Sequence, residues 1–463
     1  MHMPSLPIRA YLLAFVCLTG LVLNQTPGDI LPPPPRVEQP RGVPGPVENR
    51  FGEIDGTPVN LYTLLNNHGM IVLVMDYGAT ITQVRVPDRN GDMANVVLGS
   101  DTFEPYISRH PAAASVIGRF ANRIAKARFT LDGAEYSLAA NSGPNHIHGG
   151  RRNFATVVWK REFVLSRDGT ALRLRYRSAD GEEGFPGNLD VSVTYTLTDD
   201  NELRLDYEAR TDKPTVVNLT NHAYFNLAGA GDVLNHQLWL AAEQYTPTDQ
   251  ERIPTGEIAS VKGTPLDFTT PATIGSRIDQ LKPRPGGYDH NYVLPPAARN
   301  GAVFARVYEP KSGRLMEVTT TEPGVQVYTG NHIRDFAGAG GGRFGRHGGI
   351  CLETQHYPDS PNKPQFPTTT LRPGQVFRSS TTFKFSTRSS KLGDVCAVPR
   401  AGTGTCLTGC VAPNRTLGRR TDMECGGRGL IFIRILETVA NLQSRARSGG
   451  PRSAFCGASP GAK

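Results

Sequence analysis

Three short segments of this chain carry the side chains that proton transfer requires. The first contains Glu353, which follows the apolar run 349–352 and precedes a polar loop limited by Pro358. Burial beside Ile350 and Leu352 is expected to raise the pKa of this carboxyl toward the range useful for a general base. A lone glutamate in this setting most often turns outward on a strand, so the interpretation depends on partners elsewhere.

Two histidines provide such partners. His148 lies in Asn-His-Ile-His-Gly-Gly (145–150), and His222 lies in Thr-Asn-His-Ala-Tyr-Phe-Asn-Leu (220–227). The ordinary pKa of histidine is near neutrality, so either imidazole could act as the acid to a Glu353 base. Taken singly, each is more often a hydrogen-bonded structural residue.

The elements that must position these residues are predicted to be β-strands. Leu172, Leu174 and Tyr176 alternate with three arginines, which places the apolar set on one face of a strand. The segments 191–197 and 202–208 alternate in the same way, and Asp-Gly pairs separate such runs. Since no segment before residue 388 shows a convincing helical apolar stripe, the sequence predicts antiparallel sheets packed as a large sandwich.

The excess positive charge belongs to the C-terminal part of the chain. The 463 residues include 50 Lys and Arg against 42 Asp and Glu. Residues 388–463 hold 12 of these basic residues and 4 of the acidic ones, which leaves 38 of each sign in residues 1–387. The body of the protein therefore shows no electrostatic signature of nucleic-acid binding, and no such partner is predicted.

Composition divides the chain into four predicted regions. Residues 1–23 combine Arg9 with an apolar run too short to cross a bilayer, as in a signal peptide or an N-terminal anchor. Residues 24–50 form a proline-rich linker and 51–387 a single domain whose last alternating strand is 375–386. Residues 388–463 form a basic, cysteine-containing tail without paired Cys-x-x-Cys units, which is expected to be disordered and dispensable. The leader predicts a secreted, periplasmic or envelope location.

Six motifs in order resemble the aldose 1-epimerase (galactose mutarotase) family over residues 51–386. They are Gly-Arg-Phe-Ala-Asn-Arg-Ile (118–124), the two histidine motifs above, Gly-Tyr-Asp-His-Asn-Tyr (287–292), Pro-Gly-Val-Gln-Val-Tyr-Thr-Gly-Asn (323–331) and Cys-Leu-Glu-Thr-Gln (351–355). The resemblance implies an all-β, antiparallel β-supersandwich that binds a sugar in an open cleft, without a cofactor. No metal is predicted either, because the pattern His146-x-His148 lacks a spaced third ligand.

The resemblance also implies a role for each matching residue. Glu353 is expected to be the base at the C1 hydroxyl and His222 the acid at the ring oxygen, with His148 binding and polarising the same region. Asn122, Arg123, Asp289 and Gln326 are expected to bind sugar hydroxyls. The neighbouring aromatic residues, Tyr224, Phe225 and Tyr292, are expected mainly to pack in the core.

The predicted activity is interconversion of the α and β anomers of free hexoses such as galactose or glucose. A monosaccharide is the only predicted partner, apart from a possible N-terminal membrane anchor, and the chain is expected to be a monomer or weak dimer. Two alternatives stay open: a non-catalytic sugar-binding module, and a lyase or hydrolase acting on polysaccharides. Hydrolysis would usually require two carboxylates at a set separation instead of a glutamate with a histidine.

Overall fold

The computed structural model describes residues 45–108 and 114–389. The predicted leader 1–23, the predicted linker 24–50 up to residue 44, and the predicted tail 388–463 from residue 390 therefore lie outside the described residues. The last four residues of the predicted linker belong to a strand that begins at Val47. Within the described ranges the structure is nearly all β, with two short helices, α1 (Glu104–Ser108) and α2 (Pro296–Arg299). Neither of these helices is long and apolar enough to span a membrane.

The strands are short and follow one another closely along the chain. In the first half they are β1 Val47–Ile54, β2 Thr57–Leu65, β3 Ile71–Met75, β4 Thr80–Pro87, β5 Met93–Asn95, β6 Val116–Ile117, β7 Arg123–Ile124, β8 Arg128–Leu131, β9 Ala134–Ser137, β10 His146–Ile147, β11 Lys160–Glu162, β12 Gly169–Ser178, β13 Leu189–Thr198 and β14 Glu202–Thr211. In the second half they are β15 Thr215–Val216, β16 Thr220–Asn221, β17 Gln237–Leu240, β18 Gln244–Tyr245, β19 Ala259–Ser260, β20 Ala272–Thr273, β21 Asp289–Val293, β22 Ala305–Tyr308, β23 Arg314–Thr320, β24 Gly324–Tyr328, β25 Phe336–Ala337, β26 Arg343–Phe344, β27 Cys351–Gln355, β28 Thr370–Leu371 and β29 Phe377–Thr387.

Three larger sheets organise the described residues. One has the order β1-β2-β3-β4-β5, and the longest has the order β11-β12-β13-β14-β29-β23-β22-β17-β20. The third, here called the site sheet, has the order β19-β18-β21-β24-β27. Neighbouring strands in the site sheet are antiparallel. The predicted all-β, antiparallel supersandwich is therefore confirmed.

The last described strand, β29, lies in the interior of the nine-stranded sheet. β29 pairs with β14 on one side and with β23 on the other, both antiparallel. Its partners on the two sides come from segments about a hundred residues apart in the sequence. The strand thus joins two halves of the sheet: β11–β14, which follow one another along the chain, and β23-β22-β17-β20, in which β17 pairs with strands that are not its neighbours in sequence.

Alternation decides which side chains enter the core. In β12, Leu172 and Leu174 are buried, whereas Arg175 and Arg177 point to solvent and bind the Asp190 carboxylate. The site sheet follows the same rule, since Val325 is fully buried in the main core cluster. Removing such apolar surface from water stabilises the sandwich by roughly 25 cal/mol per Å².

One glycine explains the shape of the segment that carries His148. Gly149 has φ +82, in the left-handed region that glycine adopts without strain. A Cβ atom added there would lie 1.9 Å from the Gly118 carbonyl oxygen. No larger residue fits this close backbone approach, so the glycine after His148 is required to bring the 145–150 segment against the 118–124 segment.

Candidate active site

Strand register places three of the predicted site residues on one face of the site sheet. Gln326 in β24 lies opposite Glu353 in β27. Asn291 in β21 lies opposite Gln326, and Asp289 is two residues before it on the same strand. Because successive side chains alternate between faces, Asp289, Gln326 and Glu353 all point away from the core. The period of two that buries Val325 and Val327 therefore also builds the polar face.

Glu353 meets His222 on this face. Nε2 of His222 lies 3.5 Å from Oε1 of Glu353, and both side chains are less than a tenth exposed. This separation is longer than an ordinary N–H···O hydrogen bond, so each group can still form a hydrogen bond with a ligand. Within the described part of the chain, Oε2 of Glu353 is buried and has no hydrogen-bond partner. The carboxylate therefore keeps a free acceptor for a ligand.

Burial sets the protonation of this pair. It raises the pKa of Glu353 well above its usual value, an effect that Asp289 strengthens and Arg123 opposes. Burial also lowers the pKa of His222 to about 4. Since each shift disfavours the charged form, the pair favours a protonated Glu353 beside a neutral His222, with one proton between them. A pair with one shared proton can give a proton at one atom and take one at another.

His148 lies beside His222 with its protonation also fixed. The two rings are 5.4 Å apart between centroids and nearly perpendicular. The backbone N–H of Asn122 donates to Nδ1 of His148 at 3.3 Å, and burial lowers the pKa of His148 well below its usual value. The ring is therefore neutral with its hydrogen on Nε2. In this state His148 can only donate from that nitrogen.

The same three residues are close enough to be considered as a metal site. One possible ligand atom from each of His148, His222 and Glu353 lies within 4.8 Å of the others. Zinc binds the lone pair of a neutral imidazole. The Asn122 hydrogen bond occupies that lone pair on His148 and leaves a hydrogen on the other nitrogen. The geometry fits hydrogen bonding and proton transfer better than metal ligation, and the absence of a metal stays a prediction.

A second polar group lies at the edge of the face. Nε2 of Gln326 donates to Oδ1 of Asp289 at 2.7 Å, and Nη1 of Arg252 lies 3.1 Å from Oδ2 of the same carboxylate. Burial lowers the pKa of Arg123, whereas the nearby Asp289 and, to a lesser extent, Glu353 stabilise its positive charge. The Asp289 carboxylate is thus held from two sides, while Arg252 stays one third exposed.

The sequence predictions omitted two residues that the structure places here. Arg252 lies in the turn 248–254, which carries no motif, and reaches Asp289 only through the fold. Cys351 is buried with Sγ 3.5 Å from Nδ1 of His222. It was visible in the sequence as the residue two before Glu353 on the same strand, since such residues share a face.

The aromatic residues behave differently from one another. Phe225 and Tyr292 are fully buried, as expected for core packing. Tyr224 instead stacks on the His222 ring, with centroids 4.9 Å apart. Tyr224 also packs against the apolar cluster of Leu98, Phe336 and Phe344, so its ring combines core packing with contact to the site histidine.

A family model described as aldose 1-epimerase matches residues 60–384. This chain belongs to the aldose 1-epimerase family. A relative from Rattus norvegicus named galactose mutarotase is 45% identical over 341 residues, covering 73% of this chain and 97% of the relative. A relative from Escherichia coli strain K12 named aldose 1-epimerase is 38% identical and covers 72% of this chain and 96% of its own length.

A solved structure of the same kind supports the fold. The crystal structure of an aldose epimerase homologue from C. elegans is 28% identical, with a TM-score of 0.67, and covers 72% of this chain and 100% of its own. All seven predicted site residues lie within the described ranges. The structure brings His148, His222 and Glu353 together and joins Asp289 to Gln326; the role of each residue stays a prediction.

Proposed function

We propose that this chain is an aldose 1-epimerase that interconverts the α and β anomers of free hexoses, with galactose or glucose as substrate. The observation that carries the proposal is the buried Glu353–His222 pair, with 3.5 Å between the carboxylate oxygen and the imidazole nitrogen. The relatives named galactose mutarotase support the choice of sugar.

Ring opening needs a base and an acid acting on neighbouring oxygens. Glu353 as carboxylate takes the proton of the C1 hydroxyl while His222 as imidazolium gives a proton to the ring oxygen O5. The C1–O5 bond breaks, and C1 becomes the carbonyl carbon of the open-chain aldehyde. Rotation about C1–C2 presents the other face of the carbonyl, and closure returns both protons to their first positions.

The proton count is unchanged throughout this cycle. Before opening, the proton of the pair is on His222; after opening it is on Glu353, and the imidazole is neutral. Burial favours this second arrangement, since it raises the pKa of Glu353 and lowers that of His222. The site thereby stabilises the catalytic groups in the state that accompanies the open-chain sugar. General acid–base assistance of this kind is worth roughly 10²–10⁴-fold in rate per group.

The remaining residues suit the recognition of hydroxyl groups. Neutral His148 donates from Nε2 beside the reacting pair, Asp289 accepts, and Arg123 donates in a planar fork. Within the described residues, Oε1 of Gln326 is buried without a partner and faces the same side. Because sugar hydroxyls both donate and accept, such a mixed set can hold a pyranose with its C1–O5 edge toward Glu353 and His222.

Polarimetry on freshly dissolved α-galactose tests the proposal. The wild-type full-length chain should accelerate the approach to equilibrium rotation, and Glu353→Gln should lose this acceleration because an amide cannot accept the C1 hydroxyl proton. Unaccelerated rotation by a wild-type chain that still binds galactose would support a sugar-binding module instead. New reducing ends released from oligosaccharides would support a hydrolase.

The proposed cellular location is secreted, periplasmic or envelope. It rests on Arg9 and the apolar run 10–23, typical of a secretory leader. Mass spectrometry of the N-terminus after expression in the native host tests it. An intact Met1 on a chain recovered entirely from the cytoplasm would contradict it.

A further inference from the structure

Two turns of this chain have the same hydrogen bonds and differ in one important residue. Asp88 and Asp249 each begin a turn in which their Oδ1 accepts from the backbone N–H groups two and four residues later. The third residue after each aspartate has a positive φ: it is Gly91 in one turn, with φ +91, and Arg252 in the other, with φ +64. Glycine adopts this left-handed conformation without strain, whereas arginine does not.

The side chain of Arg252 explains why a strained residue is kept in its turn. Its Nη1 lies 3.1 Å from Oδ2 of Asp289, a contact that glycine could not make. At Gly91 an added Cβ would meet no atom within 4 Å, so backbone conformation, and not lack of space, accounts for the glycine there. Strained positions persist where the side chain has a function. The ion pair with Asp289 is therefore the reason for the arginine.

The neighbouring residue fixes the turn in place. Oε2 of Glu251 accepts from Nδ2 of Asn145 at 2.9 Å, and Asn145 is buried at the start of the segment that carries His148. Two adjacent residues of one turn thus contact the two sides of the site. Glu251 contacts the segment of His148, and Arg252 contacts the site sheet.

Asp289 and Glu353 lie at the two ends of the polar face. One strand, β24, separates the strands that carry them, so those strands are roughly 10 Å apart. A pyranose with its C1–O5 edge toward Glu353 and His222 directs its opposite edge, with the 3- and 4-hydroxyls, toward Asp289. Oδ1 of this carboxylate accepts from Gln326, and Oδ2 is paired with Arg252. Each oxygen keeps a second lone pair for a sugar hydroxyl.

We propose that Arg252 is a specificity-determining residue of this site, which directs the Asp289 carboxylate at the 3- or 4-hydroxyl of the sugar. The orientation of the sugar rests on the proposed epimerase function. Arg252 acts through Asp289, and it contributes affinity for the edge of the sugar opposite the reacting atoms.

The test compares three variants of the full-length chain with the wild type. Arg252→Gly removes the side chain and relieves the turn, and Arg252→Lys keeps a positive charge. Gly91→Arg is the matched control, since it places arginine at the same position of the other turn. Isothermal titration calorimetry gives Kd for galactose and for its 2-, 3- and 4-deoxy derivatives, and differential scanning calorimetry gives Tm.

The expected results separate recognition of the sugar from stability. Arg252→Gly should raise Kd for galactose about tenfold, as expected for one charge-assisted contact, without lowering Tm. Arg252→Lys should bind galactose within about threefold of the wild type. Gly91→Arg should lower Tm because of backbone strain and keep the wild-type Kd. An Arg252→Gly variant with a lower Tm and an unchanged Kd would overturn the proposal, because it would show a structural role alone.

The deoxy sugars identify the edge that is recognised. For 3-deoxygalactose or 4-deoxygalactose, whichever lacks the recognised hydroxyl, the Kd values of Arg252→Gly and the wild type should agree within about twofold. For 2-deoxygalactose the tenfold difference should remain. An equal loss for all three deoxy sugars would overturn the proposal. A wild type that binds galactose without accelerating mutarotation would count against the proposed function alone, since Kd is measured without turnover.

Discussion

Two glutamate–histidine pairs involve β27 or the residue that follows it, and their geometry differs. Oε2 of Glu322 lies 2.6 Å from Nδ1 of His356, a close ion pair. Oε1 of Glu353 lies 3.5 Å from Nε2 of His222. Burial opposes the charge on His356, but Glu322 outweighs it and raises the pKa. The pKa of His222 is instead lowered to about 4.

The difference separates a structural pair from a reactive one. At 2.6 Å, Glu322 and His356 form a short hydrogen bond that holds the two side chains against each other. At 3.5 Å, Glu353 and His222 are near enough to share one proton and far enough apart to act on two oxygens of a ligand. The same two residue types thus serve stability in one place and proton transfer in the other.

Breaking each pair should have opposite consequences. Glu322→Gln should lower the free energy of unfolding by about 3 kcal/mol at pH 5 to 6, the lower end of the range for a broken buried pair, because His356 is about one fifth exposed. Its folded fraction should keep the wild-type kcat. Glu353→Gln should lose roughly 10²–10⁴-fold in kcat and change the unfolding free energy by less than about 1 kcal/mol.

Urea unfolding at several pH values sharpens this test. The pKa of His356 is higher in the folded than in the unfolded state, so its stabilisation is complete below the unfolded value of 6.5 and is lost as pH rises through the folded value. Glu322→Gln should remove this pH dependence. Equal destabilisation by the two Glu→Gln variants would erase the distinction between the pairs.

The pH profile of kcat/KM should report the reactive pair. The one-proton state gains a second proton as pH falls toward the His222 pKa of about 4, and loses its proton as pH rises through the raised pKa of Glu353. The plot of kcat/KM against pH is expected to be bell-shaped with a wide plateau. Outside the two pKa values, kcat/KM should fall about tenfold per pH unit. Polarimetric rates corrected for spontaneous mutarotation measure it, and Glu322→Gln should keep both limbs. An acid limb near the ordinary histidine pKa would contradict the assignment.

Arg252 should affect binding more than chemistry. It touches Asp289 and not the reacting pair, so Arg252→Ala should raise KM about tenfold and change kcat by less than about threefold, as expected when one charge-assisted contact is lost. Arg372→Ala, which removes the exposed pair with Asp132, is the matched control. A loss in kcat as large as the change in KM would place Arg252 in the chemical step.

Chelation should have the smallest effect. Because Nδ1 of His148 accepts from Asn122, the site is set for hydrogen bonding, and dialysis against EDTA should leave kcat unchanged. Inductively coupled plasma analysis of the purified chain provides the check. A stoichiometric metal whose removal abolishes activity would reverse the protonation assigned to both histidines.

Local sequence patterns predicted strands, turns and the three central site residues of this protein. The period of two at Leu172 and Leu174 gave the correct strand and the correct buried face, and the Asp132-Gly133 pair marked the β8–β9 hairpin. Motif resemblance named Glu353, His148 and His222, which the fold brings together. These residues could be predicted because each lies in a short segment whose composition is informative by itself.

The contacts that pattern missed join distant parts of the chain. Arg252 reaches Asp289 from a loop, and His356 reaches Glu322 across 34 positions. Neither partner lies in a repeating pattern, and their distances depend on how strands pair and loops return. Register is set by packing of a whole sheet, so such ion pairs follow only from three-dimensional structure.

β29 is the last strand of the described domain to be synthesised, so the nine-stranded sheet cannot be completed before it. Its two neighbours, β14 and β23, are synthesised earlier, yet their edges stay open until this terminal strand arrives. A nascent or proteolytically clipped chain that lacks Phe377–Thr387 would expose two unsatisfied strand edges, a known route to aggregation. Sugar turnover in a crude extract would therefore count only those molecules whose synthesis has passed Thr387.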